Sequence, residues 1–144
     1  MYRLMLDTNI LLDLVSADRP AHQEAVALFI SAVSRSACRL HALASSLKDV
    51  YFIYERHYGS ETDARQKVAL LCELLELVDC TSETVQRALA SDEPDLEDGM
   101  VRVAAEQIAA NAIVTRDKPG FANSTVAKVG YGEAIAAVQK LNTD

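Results

Sequence analysis

The sequence predicts an α/β protein of three layers, in which helices cover both faces of a central, mainly parallel sheet of four or five short strands. Short apolar runs alternate with stretches of helical periodicity along the 144 residues, as expected for repeated βαβ units. Five glycines and three prolines are too few for a disordered or all-β chain. No linker or repeat divides the sequence, which predicts a single domain over residues 1–144.

Each predicted element rests on periodicity and on the residues that end it. The predicted helices begin at or near a capping or polar residue, and the predicted strands end at polar residues. The predicted strands are 2–6, 40–44, 76–80, 111–115 and 125–129. The predicted helices begin near Asn9, near Pro20, at Ser45 or Ser46 as N-cap, after Ser60, at Thr81, at Asp95 and near Ala134.

Composition also indicates the cellular compartment of the protein. No apolar run approaches the roughly 18 residues of a membrane span, and Asp7 interrupts the apolar N-terminus, which argues against a secretory signal. The three cysteines Cys38, Cys72 and Cys80 form no CxxC pair and are interpreted as reduced core thiols. We therefore expect a cytoplasmic protein without membrane association.

The net charge of −7 is unusual for a protein that binds nucleic acid, because binding to phosphates through charge alone requires a basic surface. Two interpretations remain open at this point. Either no nucleic acid is involved, or part of the negative charge is gathered at a metal site whose cations invert the local potential. The positions of the acidic residues distinguish the two.

Four aspartates are predicted to meet at one edge of the sheet. Asp7 directly follows the first strand, and Asp117 follows the strand that ends at Thr115. Asp49 lies early in the helix after the second strand, and Asp98 lies in the first turn of the helix 95–109, on its sheet-facing side. Helices of a parallel sheet begin at the carboxyl ends of its strands, so the four acids should converge there.

Such a cluster favours a bound cation. Two carboxylates about 4 Å apart repel by roughly 4 kcal/mol at an effective dielectric near 20, and Mg²⁺ or Mn²⁺ with oxygen ligands removes that cost. Each acid alone is also explained as a helix cap stabilised by the macrodipole. Asp7 is the exception, because an acid directly after a buried strand and before Thr-Asn is more typical of a site.

Four segments, in order along the chain, resemble the acidic motifs of the PIN-domain family. They are residues 5–13 (MLDTNILLD), 45–51 (SSLKDVY), 95–98 (DLED) and 113–117 (IVTRD) followed by Phe121. The resemblance implies a PIN fold, metal-dependent cleavage of RNA and frequent homodimers. Many bacterial members are VapC-like toxins of type II toxin–antitoxin pairs, which implies a protein antitoxin as partner.

The resemblance also implies residue roles. Asp7, Asp98 and Asp117 would bind Mg²⁺ or Mn²⁺, and Asp49 would be the second acid of the catalytic set. Thr8, Asn9 and Thr115 would orient ligands or water. Apart from the resemblance, the position of Arg116 beside Asp117 leaves two interpretations open, a contact with substrate phosphate or a solvated arginine at the rim of the site.

Two acidic positions leave alternatives open. The second acid is usually glutamate in the family's toxins, whereas Asp49 is one methylene shorter. A closer helix, a bridging water or a weakened site would each explain the difference. Asp95 competes with Asp98 because i and i+3 share a helix face, and alignment with the buried stripe favours Asp98.

The sequence therefore predicts a metal-dependent endoribonuclease whose acidic site would accept a basic segment of an antitoxin. The alternative is a degenerate PIN scaffold that binds RNA or protein without cleavage. A haloacid-dehalogenase-like phosphatase is disfavoured because Asn9 occupies the place of its second acid. Outside the site, Asp13 is predicted to be a hydrogen-bonding or solvated helix residue, and Tyr51, Phe52 and Tyr54 are predicted to be core.

Overall fold

The computed structural model describes residues 1–116 and 119–142. Over these ranges the predicted five strands and the alternating helices are present, within a few residues of their expected bounds. The strands are β1 Tyr2–Leu6, β2 Cys38–Leu43, β3 Glu76–Val78, β4 Ala112–Val114 and β5 Ala127–Val129. The helices are α1 Thr8–Val15, α2 His22–Val33, α3 Ala44–Tyr58, α4 Glu61–Leu74, α5 Ser82–Ala90, α6 Leu96–Gln107 and α7 Tyr131–Gln139.

The sheet is parallel throughout its described strands, in the order β3-β2-β1-β4-β5. β1 is central: Leu4 lies opposite Leu40 of β2 on one side and Ala112 of β4 on the other. After β1 the chain builds outward through β2 and β3, then returns to add β4 and β5. The gap between the carboxyl ends of β1 and β4 is therefore a topological switch point, the usual place for a site in such sheets.

Side chains that alternate along β1 define the two core layers. Leu4 and Leu6 pack in the larger layer, together with apolar residues of α1, α2, α3, α4 and α7. Met5 points to the other face and packs with Val101 and Ala104 of α6, on which α5 rests. This is the predicted three-layer α/β/α arrangement, and it directs the start of α6 toward the carboxyl end of β1.

The predicted helix starts at Ser60, Thr81 and Asp95 agree with the N-caps of α4, α5 and α6, whereas the predicted start of α3 does not agree. Ser60 caps α4, its hydroxyl accepting the backbone N–H of Asp63 at 3.1 Å, and a capping box at Thr81 begins α5. The predicted N-cap at Ser45 or Ser46 is wrong, because β2 passes directly into α3 with Leu43 as the N-cap. Without an intervening loop, both serines fall inside the first turn.

The predicted core residues Phe52 and Cys72 are wrong. Val50 and Tyr54, one turn apart, form the buried stripe of α3, so Phe52 midway between them points outward and is 52% exposed. Cys72 is exposed, whereas Cys38 is buried and Cys80 half-buried, and all three are free thiols. Among the described helices, none has the length and apolar character needed to cross a bilayer.

Leu71→Ala should lower the free energy of unfolding by about 2–5 kcal/mol, because Leu71 is fully buried in the larger core layer and truncation leaves a cavity. The matched control is Leu89→Ala on α5, where the side chain is 66% exposed and a change within about 0.5 kcal/mol is expected. Urea unfolding followed by circular dichroism measures both. Equal midpoints for the two variants would contradict this packing.

Candidate active site

A cleft of about 470 Å³ opens at the carboxyl edge of the sheet, between the end of β1 and the starts of α3 and α6. Three of the predicted acids, Asp7, Asp49 and Asp98, line it. Asp95 and Glu97 line it as well. Five carboxyl groups from three separated segments therefore face one space, as the positions of the strand ends indicated.

The fourth predicted acid, Asp117, lies outside the described residues. The chain leads toward it from Thr115 and Arg116, directly after β4. Its role in the site therefore stays a prediction.

Asp7 is held in a fixed orientation at the switch point. It is the N-cap of α1, and its Oδ1 accepts the backbone N–H of Thr8 at 2.8 Å. Its Oδ2 accepts the hydroxyl of Thr115 from the end of β4 at 2.9 Å. The backbone N–H of Asp7 donates to the carbonyl of Val114 at 3.0 Å. The two central strands thus jointly position this buried carboxylate, while Thr8 and Asn9 line the cleft beside it.

Asp95 and Asp98 both face the cleft, but they have different local roles. Asp95 is the N-cap of α6, and its Oδ2 accepts the backbone N–H of Asp98 at 3.1 Å. Asp98 is half-buried in the first turn, whereas Asp95 is exposed. Capping thus accounts for one Asp95 oxygen, and the choice of Asp98 over Asp95 as the site residue stays a prediction.

Glu97, which the sequence analysis did not single out, meets Asp49 across the cleft. A side-chain hydrogen bond to Asp49 raises the pKa of Glu97 to about 7, with further contributions from burial and from the negative charges of Asp49, Asp95 and Asp98. In its protonated form Glu97 donates to the Asp49 carboxylate. The acidic run at the start of α6 was the only sequence signal for this residue. Contact with Asp49 depends on how α3 and α6 pack.

The cleft offers the type of ligand atom that a divalent cation needs. The described residues, however, do not include a complete set of metal ligands. Carboxylate oxygens are the ligands that Mg²⁺ and Mn²⁺ prefer, and the hydrogen bond to Asp49, burial and the neighbouring carboxylates together raise the pKa of Glu97. Within residues 1–116 and 119–142, however, no three His, Cys, Asp or Glu side chains are close enough to hold a metal ion. The oxygen ligands of the cleft therefore suit a hard cation such as Mg²⁺ or Mn²⁺. Asp117 lies outside the described residues.

Asp13, one helix turn and a half after Asp7, is a fully buried acid in a different environment. It accepts hydrogen bonds from Arg19 Nε at 2.8 Å, Arg116 Nε at 2.7 Å and the Tyr131 hydroxyl at 2.7 Å. The predicted hydrogen-bonding role of Asp13 is confirmed. Arg116, predicted to orient substrate phosphate, has its guanidinium anchored by Asp13 and remains 40% exposed.

The arginines keep Asp13 ionised. Burial by itself raises the pKa of this carboxyl, but hydrogen bonds from Arg116, Arg19 and Tyr131 outweigh burial and leave the pKa below its ordinary value. Burial and the hydrogen bond to Asp13 raise the pKa of the Tyr131 hydroxyl far above its ordinary value. The network ties the end of β4 to α1 and α7 beside the acidic cleft.

Comparisons with known proteins agree with this fold. A family profile described as PIN domain matches residues 3–119, which include the three described acids and Asp117. Comparison with curated protein sequences gives no match.

Several solved structures share the fold at low sequence identity. VapC20 from Mycobacterium tuberculosis, described as a sarcin–ricin loop cleaving toxin, is 16% identical with a TM-score of 0.72, covering 88% of this chain and 98% of that chain. VapBC2 from Rickettsia felis, bound to a DNA fragment from its promoter, is 12% identical with a TM-score of 0.63, covering 89% and 98%. DNA-bound VapBC from Salmonella typhimurium is 14% identical with a TM-score of 0.61, covering 91% and 99%.

Asp13→Asn should lower the free energy of unfolding at pH 7 by about 1–3 kcal/mol, because two guanidinium groups lose their charged partner. The folded-state pKa of Asp13 is lowered, so its contribution is present above the unfolded value of about 3.9 and is lost as pH falls through the folded pKa. The difference between wild type and Asp13→Asn should therefore shrink below about pH 4. Urea midpoints at neutral and acidic pH measure it.

The control for this experiment is Asp79→Asn, an exposed aspartate at which a surface substitution should change stability by no more than about 0.5 kcal/mol. A difference between wild type and Asp13→Asn that persists undiminished in acid would show that the ionised carboxylate is not what stabilises this network.

Proposed function

Because the chain belongs to the PIN domain family, we propose that it is a metal-dependent endoribonuclease that hydrolyses RNA phosphodiester bonds. The observation that carries the proposal is the convergence of Asp7, Asp49 and Asp98 on one cleft at the switch point of the sheet. These residues come from three separate segments, and no local role such as capping explains why all three face the same space.

In this proposal Asp7, Asp49, Asp98 and Asp117 hold Mg²⁺ or Mn²⁺. Such an ion, when bound, generates a nucleophilic water and neutralises charge that develops on the phosphate. The chain's own contribution is to orient the ligands. Hydrogen bonds from the Thr8 N–H and the Thr115 hydroxyl fix the Asp7 carboxylate, and such supporting contacts make a ligand oxygen ready to bind without reorganisation.

In this proposal Glu97 compensates for the short side chain of Asp49. The two carboxyl groups are hydrogen-bonded in the structure, so Glu97 adds a longer acidic side chain beside the position of the second acid. We assign Glu97 to the acidic set as a partner of Asp49. Lys48 lines the same cleft and gives substrate phosphate a positive charge to approach.

We further propose that the protein is the toxin of a toxin–antitoxin pair and forms a homodimer. The support is the likeness of its fold to VapC20 and to the VapBC2 and VapBC complexes, together with the charge of the cleft. A cleft lined by five carboxyl groups is complementary to an arginine or lysine of an antitoxin segment. A basic segment inserted there would exclude substrate and cation together.

A catalytically degenerate PIN scaffold that binds RNA or a protein is the second candidate. The observation in its favour is that the described residues contain no group of three potential ligands at metal-binding distance. Metal binding separates the two candidates, since a scaffold of this kind needs no divalent ion.

Asp98→Asn should reduce RNA cleavage by about 100-fold or more, because even supporting contacts of metal ligands are worth about 10–100-fold. The fold should survive, since removing one charge relieves repulsion within the cleft. Cleavage of a panel of structured RNAs with Mn²⁺ measures the effect. The matched control is Asp63→Asn, an exposed acid of α4 that should retain full activity. Undiminished cleavage by Asp98→Asn, or by wild type in excess EDTA, would refute metal-dependent catalysis at this cleft.

Mn²⁺ should raise the melting temperature of the wild-type protein, because a ligand at about 100 times its Kd stabilises the folded state by about 2.7 kcal/mol. Asp7→Asn should lose this increase, since Asp7 is the acid positioned by both central strands. Differential scanning calorimetry with and without Mn²⁺ measures it, with Asp63→Asn as control. No shift in the wild type would favour the degenerate scaffold.

A further inference from the structure

The exposed face of α3 continues outward from the acidic cleft. Asp49 lines the cleft, and Ile53 and His57 follow at intervals of one helical turn on the same face. Phe52 and Ile53 are 52% and 45% exposed, which is unusual for two adjacent large apolar side chains. The name α3 track is used for five exposed residues of this helix, which are Lys48, Phe52, Ile53, Arg56 and His57.

A second cleft of about 350 Å³ adjoins the track. Its walls include Ile53, His57 and Tyr58 from α3 and Arg19 from the connection between α1 and α2. Ile53 also lines the acidic cleft. The two clefts therefore adjoin at Ile53.

The second cleft contains a rigid aromatic surface. The Tyr58 ring packs against Tyr54 with 4.3 Å between ring centroids and meets His57 edge-on at 4.6 Å. The Tyr58 hydroxyl donates to Asp18 across the cleft, which holds the ring from its far end. Tyr58 is still 38% exposed, so part of an already ordered ring faces solvent.

Positive charge accompanies these apolar and aromatic groups. Lys48 and Arg56 belong to the track, and Asp13 holds Arg19 at 2.8 Å and Arg116 at 2.7 Å. Asp18 also lines the second cleft and lies near Arg19, so Asp13 and Asp18 together offset these two guanidinium groups. The positive charge of this face therefore comes from Lys48 and Arg56 of the track. The wall of the acidic cleft formed by the start of α6 is instead negative, so a polyanion is expected to approach the site along α3.

We propose that the α3 track and the second cleft bind the single-stranded RNA nucleotides that flank the bond cut in the acidic cleft. Bases stack on Phe52 and on the exposed part of Tyr58, and phosphates contact Lys48, Arg56 and Arg19. Aromatic surface interleaved with cations is the combination that single-stranded RNA requires. This inference rests on the proposed nuclease function.

A second protein surface is a poorer match for the same face. The buried centre of a protein interface is depleted of lysine, whereas Lys48 lies one turn from Phe52 with its ammonium 5.9 Å from the centre of the ring. The basic residues of the track also repel a basic antitoxin segment, which the acidic cleft attracts. Charge complementarity therefore favours RNA on α3.

The test measures binding of a fluorescein-labelled, mixed-sequence single-stranded RNA of about 12 nucleotides by fluorescence anisotropy. The protein carries Asp98→Asn to silence cleavage and is measured with Mg²⁺ and with EDTA. Phe52→Ala and Arg56→Gln, each added to that background, should weaken binding about fivefold or more. The matched controls, Leu89→Ala on α5 and Lys140→Gln after α7, are exposed residues away from both clefts and should change it less than about twofold.

An RNA of the same length without bases separates stacking from charge. It should bind more weakly and be insensitive to Phe52→Ala, while Arg56→Gln still reduces its affinity. Affinities for intact RNA that match the controls would overturn the proposal. So would sedimentation velocity showing that Phe52→Ala converts a dimer to a monomer while RNA affinity is unchanged, because the face would then be a subunit interface.

Cleavage assays without the Asp98 substitution distinguish this inference from the proposed function. If wild type cleaves RNA and Phe52→Ala has an unchanged kcat/KM, only the α3 track is refuted. If wild type does not cleave but the track variants lose RNA binding, only the nuclease is refuted.

Discussion

Carboxylates that share one cleft repel one another, and the parallel sheet of this protein brings five carboxyl groups to a single edge. The strand order places the end of β1 beside the starts of α3 and α6, so the fold cannot form without gathering Asp7, Asp49 and Asp98. The raised pKa of Glu97 shows the consequence, since a carboxyl group retains a proton where a further negative charge is costly. The same crowding makes the cleft receptive to a divalent cation, or to the basic side chain of a partner.

Asp13 shows the other way in which this protein accommodates a buried acid. It lies on the same helix that Asp7 begins, yet two arginines keep it ionised. Its bond to Arg116 anchors the chain just before Asp117. Just after that point, Glu93, whose side chain is 1% exposed, accepts the backbone N–H of Phe121 at 3.2 Å. Arg116 is therefore held to α1, and Phe121 is held to the connection between α5 and α6.

The distribution of charge reconciles the acidic composition of the chain with the proposed nucleic-acid substrate. The net charge of −7 describes the whole molecule, whereas a substrate meets local potentials that fall off within about 10 Å at moderate salt. Negative groups concentrate on the wall of the cleft formed by α6, and cations lie along α3 and around Asp13. A cation bound among the carboxylates would attract the phosphates of a nucleic acid into the cleft. Without the cation, the carboxylates would repel those phosphates.

The sequence by itself determined the succession of strands and helices along the chain, the three-layer class and the edge of the sheet to which Asp7, Asp49 and Asp98 come. Apolar periodicity and residues at strand ends depend on neighbours a few positions away. Only the tertiary structure decided that Glu97 meets Asp49, that Arg116 pairs with Asp13 and that Phe52 faces solvent. Those facts depend on how α3 packs against α4 and α6 and on how the end of β4 approaches α1. Distances between side chains remote in sequence are set by such packing, and no local pattern encodes them.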